Sequence, residues 1–372
     1  MRYIWQHIKT IIDAYNGSLP LAHFLKNYYK QYPQLGSRDR RILNEMAYCW
    51  YRCAKAIIVD EIQQDEFEYK MKACLQLCAN RDIVGRLYDM DAFGAASSDL
   101  SCLFPYDVML SEGVSAIEWS RSILVQPSLF IRIRKQKDEI IKLLNTAAIP
   151  YSFVTDNCIE LPNGAKIDTL LPSSAYVVQD ASSQLTGRYF APVKGERWYD
   201  SCSGAGGKSL LLKDMEPTVQ LTVTDVRDTI LYNLKERFRE YGHKAPAAFV
   251  TDVTDKAKLA KSLDGRQFDN IICDAPCSGS GTWARTPEQM YFFNPVQISK
   301  FSTLQKNIAV NVAAYLKQGG RLIYITCSVF QDENEHVVDE IINKTGLKLL
   351  EAKLINGIAH KADSMFIAVL QR

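Results

Sequence analysis

The sequence lacks any run of eighteen or more apolar residues, so no segment is long enough to cross a membrane as a helix. Its opening Met-Arg-Tyr-Ile-Trp lacks the charged-then-apolar build of a secretory signal, and a cytoplasmic protein without membrane contact is expected. An excess of either charge is also missing: 44 Lys and Arg against 42 Asp and Glu leave a net charge of +2. That is too little to imply a polyanionic partner, so any nucleic-acid argument has to rest on local clusters. There is no internal repeat and no low-complexity tract. Cysteine is not scarce, but ten of them in a long chain without a secretion signal read as reduced thiols rather than disulfides. Cys49 and Cys53, and Cys74 and Cys78, stand at i, i+4 spacing in helical stretches, where cysteine behaves as a small apolar residue. Structural zinc draws on short loop spacings instead, and no metal is expected.

At 372 residues, 47% apolar and 23% charged, the chain exceeds one hydrophobic core, so two or three packed units are expected. Residues 1–95 are poor in Gly and Pro, and Ile42, Met46, Cys49, Trp50 and Cys53 recur at helical intervals, which predicts a helical bundle. Arg38, Arg40, Arg41, Arg52 and Lys55 on its exposed faces would suit phosphates, or serve as a solvated surface. The stretch from Ala96 to Tyr106 reads as a linker. A small α/β unit over 107–175 follows, with strands at Leu129–Arg134, Tyr151–Val154 and Cys158–Leu161 and a helix at Asp138–Ala147. Arg121, Arg132, Arg134, Lys135 and Lys137 give it a basic edge.

Over 176–372, short apolar segments alternate with amphipathic helices: Arg197–Ser201, Leu221–Thr224, Ala247–Thr251, Phe268–Cys273 and Arg321–Thr326 are the predicted strands. Ile230, Leu234, Phe238 and Tyr241 line one helix; Leu304, Ile308, Val312 and Leu316 line another that stops at Gly319-Gly320. Such repeated strand-helix units build an α/β fold, a parallel sheet with helices on both faces.

The first predicted strand runs into Asp200-Ser-Cys-Ser-Gly-Ala-Gly-Gly-Lys208 and then a helix. The glycines let the backbone turn beside a ligand, and the helix N-terminus offers free N–H donors. That unit serves dinucleotides, flavins and S-adenosylmethionine equally. Each following strand ends in an acid, Asp225, Asp252 and Asp274, and strand ends of one parallel sheet share one crevice. Asp225 is placed for ribose hydroxyls and Asp252 for an adenine amino group, although strand-end aspartates also cap helices.

Past the fourth strand stands Asp274-Ala-Pro-Cys277-Ser-Gly-Ser-Gly-Thr282, and past the fifth Thr326-Cys327-Ser328. Two thiols and a carboxylate therefore meet at one end of the sheet, while Cys273, inside its strand, reads as a core residue. Carbon 5 of cytosine is a poor nucleophile, and methylating it requires a thiolate to add at carbon 6 first. A second group must then help remove the carbon-5 proton and release the thiolate. Cys327 and Cys277 could divide this work, with Asp274 on the polar edge of the base; the spacing does not say which thiol attacks.

These motifs resemble the RsmB/Nop/Sun family of RNA cytosine-5 methyltransferases, over nearly the whole chain. Asp-Ala-Pro-Cys-Ser-Gly-Ser-Gly-Thr looks like the family's motif IV, and Thr-Cys-Ser followed by Glu333-Asn334-Glu335 like its motif VI. The resemblance implies a Rossmann-like class I methyltransferase domain with a seven-stranded, mostly parallel sheet. It also implies an N-terminal NusB-like helical RNA-binding domain around Gly36-Ser-Arg-Asp-Arg-Arg41, and a small α/β subdomain between the two. It makes Cys327 the nucleophile and Cys277 the helper in product release. It sets S-adenosyl-L-methionine against Cys202, Ser203, Gly204, Ala205, Gly206, Gly207, Lys208, Asp225, Asp252 and Asp274, with Lys208 reaching the active site. The implied product is 5-methylcytosine in RNA, with 16S ribosomal RNA favoured over transfer RNA by the N-terminal likeness alone, and a monomer is expected. Val178-Gln179-Asp180-Ala181-Ser182-Ser183 resembles the segment leading into the family's catalytic domain, and neither Gln184 nor the serines there receive a role.

Two departures stand out: Ser203-Gly204-Ala205 replaces the usual Ala-Ala-Pro of the loop, and Asp363-Ser364-Met365-Phe366 replaces Asp-Gly-Phe-Phe. Three other readings account for parts of the chain. A protein or small-molecule methyltransferase has little use for the Cys pair, and a nicotinamide oxidoreductase leaves both strand-end thiols unexplained. A non-catalytic RNA-binding assembly factor does not need Cys327, Cys277 and Asp274 intact.

Overall fold

The computed structural model describes residues 2–59, 65–79 and 81–372; positions 1, 60–64 and 80 of the predicted 1–95 bundle lie outside them. The chain divides into two compact units, Met1–Val108 with Ser115–Gln126 and Thr282–Pro295, and Met109–Val114 with Pro127–Gly281 and Val296–Arg372.

The first unit is helical. Ile4, Ile8 and Ile11 form the buried stripe of the helix Arg2–Ala14, while Ser37–Cys53 buries Ile42, Met46, Cys49, Trp50 and Cys53 as the i, i+3/i+4 pattern dictates. Cys49, Cys53 and Cys74 are buried and Cys53 Sγ lies 3.5 Å from Cys78 Sγ; among the described residues no group is arranged to hold a metal. The predicted linker is ordered instead: Ser98 pairs with Ile57, and Asp99 caps a turn at Leu100–Leu103 that buries Leu103. Sequence position does not foretell that Thr282–Pro295 joins this unit, where Trp283 stacks among Phe104, Trp119 and Phe293 with centroids 4.9–5.6 Å away.

Arg52 corrects the expected basic face. It is 2% exposed, and Nη1 donates to the carbonyls of Ile123 at 2.7 Å and Ala284 at 2.6 Å while Nη2 donates to Gln126. Lys55 likewise donates to the Tyr291 carbonyl. A guanidinium inside the fold is kept there because backbone oxygens replace its water.

The second unit holds two sheets. The small one is antiparallel, in the order β2-β3-β1-β4, from β1 (Leu129–Ile133), β2 (Ser152–Thr155), β3 (Cys158–Leu161) and β4 (Tyr176–Val178). The helix Lys137–Thr146 covers it through Ile140 and Leu144. Arg132 and Arg134 do not form an open basic edge: both pair with Asp214, at 2.6 and 2.7 Å.

The large sheet has the order β10-β11-β9-β8-β5-β6-β7, from β5 (Arg197–Asp200), β6 (Gln220–Asp225), β7 (Ala247–Val250), β8 (Phe268–Asp274), β9 (Leu316–Thr326), β10 (Lys348–Ile355) and β11 (Met365–Gln371). Neighbours from β7 to β9 pair in parallel, and β11 runs against β9 and β10. Both faces are apolar: Tyr199, Ile271, Leu322 and Tyr324 pack with Ile308 and Val312, while Trp198, Val223, Ile272 and Ile323 pack with Leu231, Leu234 and Phe238. The helix expected to run to Leu316 ends at Ala313 (Val296–Ala313), and Leu316, Gly319 and Gly320 lie in β9. A Cβ on Gly320 would stand 2.7 Å from the Asp269 carbonyl, so this glycine serves close strand approach rather than a helix stop. Among the described residues no helix is long and apolar enough to cross a membrane.

Replacing Arg52 by Met strands at least two buried carbonyls and is expected to cost about 2 kcal/mol or more in urea unfolding. A variant of parental stability whose polynucleotide binding loses salt dependence would instead make Arg52 a phosphate contact.

Candidate active site

The pairing of β8 with β9 sets Asp274 opposite Ile325, so the chain leaves both strands at the same edge. There the Sγ atoms of Cys277 and Cys327 lie 3.3 Å apart, both half-buried. The Cys327 sulfur, burial and the nearby Glu333 carboxylate all push the Cys277 thiol up.

Glu333 ties the two cysteine loops together. It is fully buried; Oε1 accepts the Ser278 N–H at 2.8 Å and Gln305 Nε2 at 3.2 Å, and Oε2 accepts the hydroxyls of Ser278 and Ser328. Burial pushes its carboxyl above the usual range against these hydrogen bonds, with no cation among its bonded partners. Asn334 pins the Cys327 loop from both sides, accepting from Thr326 Oγ1 at 2.5 Å and donating to the Ser328 carbonyl at 2.9 Å. The motif Glu333-Asn334-Glu335 is visible in the sequence, but which loop it serves depends on Gln305 and Ser278, far away in the chain.

The glycine loop leaves β5 and enters the helix Gly207–Met215. Gly206 has φ +81° and a Cβ there would stand 2.8 Å from Leu234, so only glycine fits. Gly204 has φ +51°, and at both Gly204 and Gly207 the space a Cβ would fill is open. Asp225 Oδ2 accepts the Gly204 N–H at 3.0 Å, which brings the expected acid to the loop. Its carboxyl lies below the ordinary value: burial raises it, but hydrogen bonds from Arg227 and Gly204 outweigh burial. Asp252, by contrast, is exposed, with Oδ1 accepting the Thr254 N–H at 3.0 Å and hydroxyl at 2.6 Å, and no contact joins it to the loop. Ser203 turns its hydroxyl to the Thr224 carbonyl at 3.1 Å, Cys202 is held up as a thiol by burial, and Ala205 presents only its carbonyl, to Arg237.

Lys208 is buried and its ammonium lies 3.3 Å from Asp274 Oδ2, joining the glycine loop to the thiol loop. Asp200 is the acid that sequence reasoning passed over. It is fully buried; Oδ2 accepts the Ser209 hydroxyl at 2.6 Å, and Oδ1 has no hydrogen-bond partner. An orphaned buried oxygen beneath an open glycine loop fits a ligand that brings a donor, such as a cationic amino group.

Burial pushes Asp200 up to about 7. Between the ordinary aspartate value of about 4 and that point, the unfolded chain has lost a proton the folded chain keeps. Stability therefore falls as pH rises, by up to about 1.4 kcal/mol per unit. Asp200→Asn is expected to remove this part of the slope when urea unfolding of the ligand-free protein is followed across that range; equal slopes would put the proton elsewhere.

Residues 188–371 match the family described as 16S rRNA methyltransferase RsmB/F. The ribosomal RNA small subunit methyltransferase B of Klebsiella pneumoniae subsp. pneumoniae is 29% identical over 240 residues, 59% of this chain and 52% of that protein. Its counterpart in Shewanella oneidensis is 30% identical over 217 residues, 58% and 50%. The chain spans about half the length of the curated relatives it matches. In fold it is similar to the crystal structure of PH0851, with TM-score 0.72 and 19% identity over 95% of both chains. It is also similar to that of a methyltransferase homologue from Pyrococcus horikoshii, with TM-score 0.60 and 21% identity over 70% of this chain and 92% of that one. The family match opens just before β5 and closes at the last residue of β11, taking in the whole seven-stranded sheet, and by it the chain belongs to the RsmB/Nop/Sun family of methyltransferases.

Proposed function

We propose that the protein forms 5-methylcytosine in RNA, with 16S ribosomal RNA as the substrate, through a covalent adduct between Cys327 and carbon 6 of the target cytosine. The observation that carries this is the 3.3 Å approach of two thiols beside a glycine loop, because a cytosine-5 transfer needs one sulfur to attack and a second group to help release it. S-adenosylmethionine is the cofactor, and when bound it supplies an electrophilic methyl group on a sulfonium. The loop Cys202–Lys208 offers it N–H donors at the helix start, Asp225 takes its ribose hydroxyls, and the unpartnered Oδ1 of Asp200 suits its amino group.

The roles of the two thiols are those the family resemblance implies: Cys327 attacks carbon 6 and Cys277 assists product release. The Cys327 Sγ–C6 bond forms as electron density moves to the amide edge of the ring, where Asp274 and Lys208 stand 3.3 Å apart to hold it. Carbon 5 would then take the methyl group as its bond to the cofactor's sulfonium sulfur breaks, that sulfur keeping the electron pair. Transfer of the carbon-5 proton to a water-borne base would let the C6–S bond break with its electron pair returning to the Cys327 sulfur, and Cys277 assists that release.

Asp252 presents its remaining oxygen to the adenine amino group. RNA is held through exposed basic residues, Arg38 and Arg121 of the first unit and Lys135 beside the small sheet of the second, with the target base splayed out of its stack. The ribosomal substrate is favoured by the relatives' names.

Cys277→Ala is expected to accumulate a protein–RNA complex that survives denaturing electrophoresis, and Cys327→Ala to form none and transfer no methyl. The opposite pattern would exchange the two roles. Bisulfite sequencing of ribosomal RNA from cells lacking the gene is expected to show one lost cytosine mark.

A further inference from the structure

The segment between β4 and the glycine-loop domain has no role in the chemistry described so far, yet its side chains reach the centre of the site. Lys208 Nζ donates to Ser183 Oγ at 2.9 Å, a shorter contact than its 3.3 Å approach to Asp274. Gln179 Nε2 donates to the same Ser183 oxygen at 3.2 Å, and Gln179 Oε1 accepts from Arg132 Nε at 2.9 Å. Arg132 Nη1 continues to Asp214 Oδ2 at 2.6 Å, and Asp214 Oδ1 is taken by Arg134 and His243 at 2.7 Å each. A line of polar contacts thus runs from the carboxylate that ends β8, through Ser183 and Gln179 of the segment after β4 and Arg132 of β1, back to the helix that carries Lys208.

The direction of each bond is forced. Arginine has no acceptor, so the Gln179 carbonyl must face Arg132 and its NH2 must face Ser183. Ser183 Oγ then accepts from both Gln179 and Lys208. The lysine has three donors but only two oxygen acceptors here; its third neighbour is the thioether of Met365 at 3.9 Å, a weak acceptor. A buried lysine has about 2 kcal/mol of rotamer freedom to lose, and Ser183 supplies a second fixed oxygen that selects one rotamer.

We propose that Ser183 and Gln179 are positioning residues that hold the Lys208 ammonium against Asp274, so that the segment following β4 builds part of the catalytic site. This rests on the methyl-transfer reading above. Ser183→Ala leaves the ammonium with one oxygen partner, and a catalytic group misplaced by about 1 Å can cost up to a hundredfold in rate.

The test compares Ser183→Ala, Ser183→Thr and Gln179→Leu with the parent, using S-adenosylmethionine and 16S ribosomal RNA. Ser183→Ala is expected to lower kcat about tenfold or more while cofactor Kd, RNA KM and Tm stay near parental values. Ser183→Thr, which restores the hydroxyl, is expected to recover most of the rate, and Gln179→Leu to fall in the same direction as Ser183→Ala. A readout independent of RNA is the rate at which acetic anhydride modifies Lys208, mapped by mass spectrometry: several-fold faster in Ser183→Ala, and parental in Ser183→Thr. Parental kcat and parental labelling in Ser183→Ala overturn the proposal, as does equal impairment of the Ala and Thr variants together with lost cofactor binding. A parent that makes no 5-methylcytosine, while Lys208 labelling still responds to Ser183, sinks the functional reading and leaves the positioning role standing.

Discussion

Everything at this site depends on β8 and β9 being adjacent, parallel and in register. Paired strands stand about 4.8 Å apart, and with Asp274 opposite Ile325 the two chains leave the sheet side by side. Cys327 follows the end of β9 directly, and Cys277 returns to it after the short Ala275-Pro276 step. The loop can return only because it is made of small residues. A Cβ on Gly281 would lie 2.1 Å from the Ser364 carbonyl and 2.9 Å from that of Cys327, so the glycine is fixed by backbone threading beneath β11. Ser278, Ser280 and Ser328 fill the remaining space and hydrogen-bond one another at 3.1–3.3 Å. The composition of the motif is thus a packing solution to bringing two sulfurs together.

Buried carboxyl groups then surround the sulfurs. Glu333 and Asp200 are both buried, and hydroxyl or amide donors rather than cations hold Glu333. A buried carboxylate stabilised this way still opposes a second negative charge nearby, and Glu333 contributes to holding the Cys277 proton. Lys208 stands against Asp274, 3.3 Å away.

Patterns confined to one element were legible in the sequence. Strand ends, the glycine loop, the helix stripes and the juxtaposition of two cysteine loops follow from local periodicity and parallel-sheet topology, which is why Asp225, Asp274, Lys208, Cys277 and Cys327 fall where that reasoning puts them. What escaped it depends on partners distant in sequence. Arg52, Arg132 and Arg134 look like surface cations until the carbonyls of Ile123 and Ala284, and the carboxylate of Asp214, stand beside them. Asp252 lies two residues beyond the end of β7, where Val250 rather than Asp252 pairs with Asp225, and its own Thr254 turn takes one of its oxygens. Leu316, helical by spacing, is claimed by β9 because its neighbour Phe268 on β8 draws it into the sheet. Asp200 carried no signal beyond opening the loop; only its burial exposes the unfilled oxygen.

The buried cluster of Arg132, Arg134 and Asp214, with His243 hydrogen-bonded to the same carboxylate, raises the question of why a fold keeps it inside. Desolvating such groups costs several kcal/mol per ion, and apolar residues of like size often give equal stability. Two guanidinium groups share one carboxylate, Arg132 Nη2 has no hydrogen-bond partner, and burial depresses the Arg132 pKa, so stability is a weak reason for the arrangement. Direction is a stronger one. An apolar contact tolerates a slide of β1 across the helix Gly207–Met215, whereas planar forks on a single carboxylate do not. That helix carries Asp214 in its last turn and Lys208 in its first, so the pairing that fixes the small sheet on it also fixes the height at which the lysine meets Asp274.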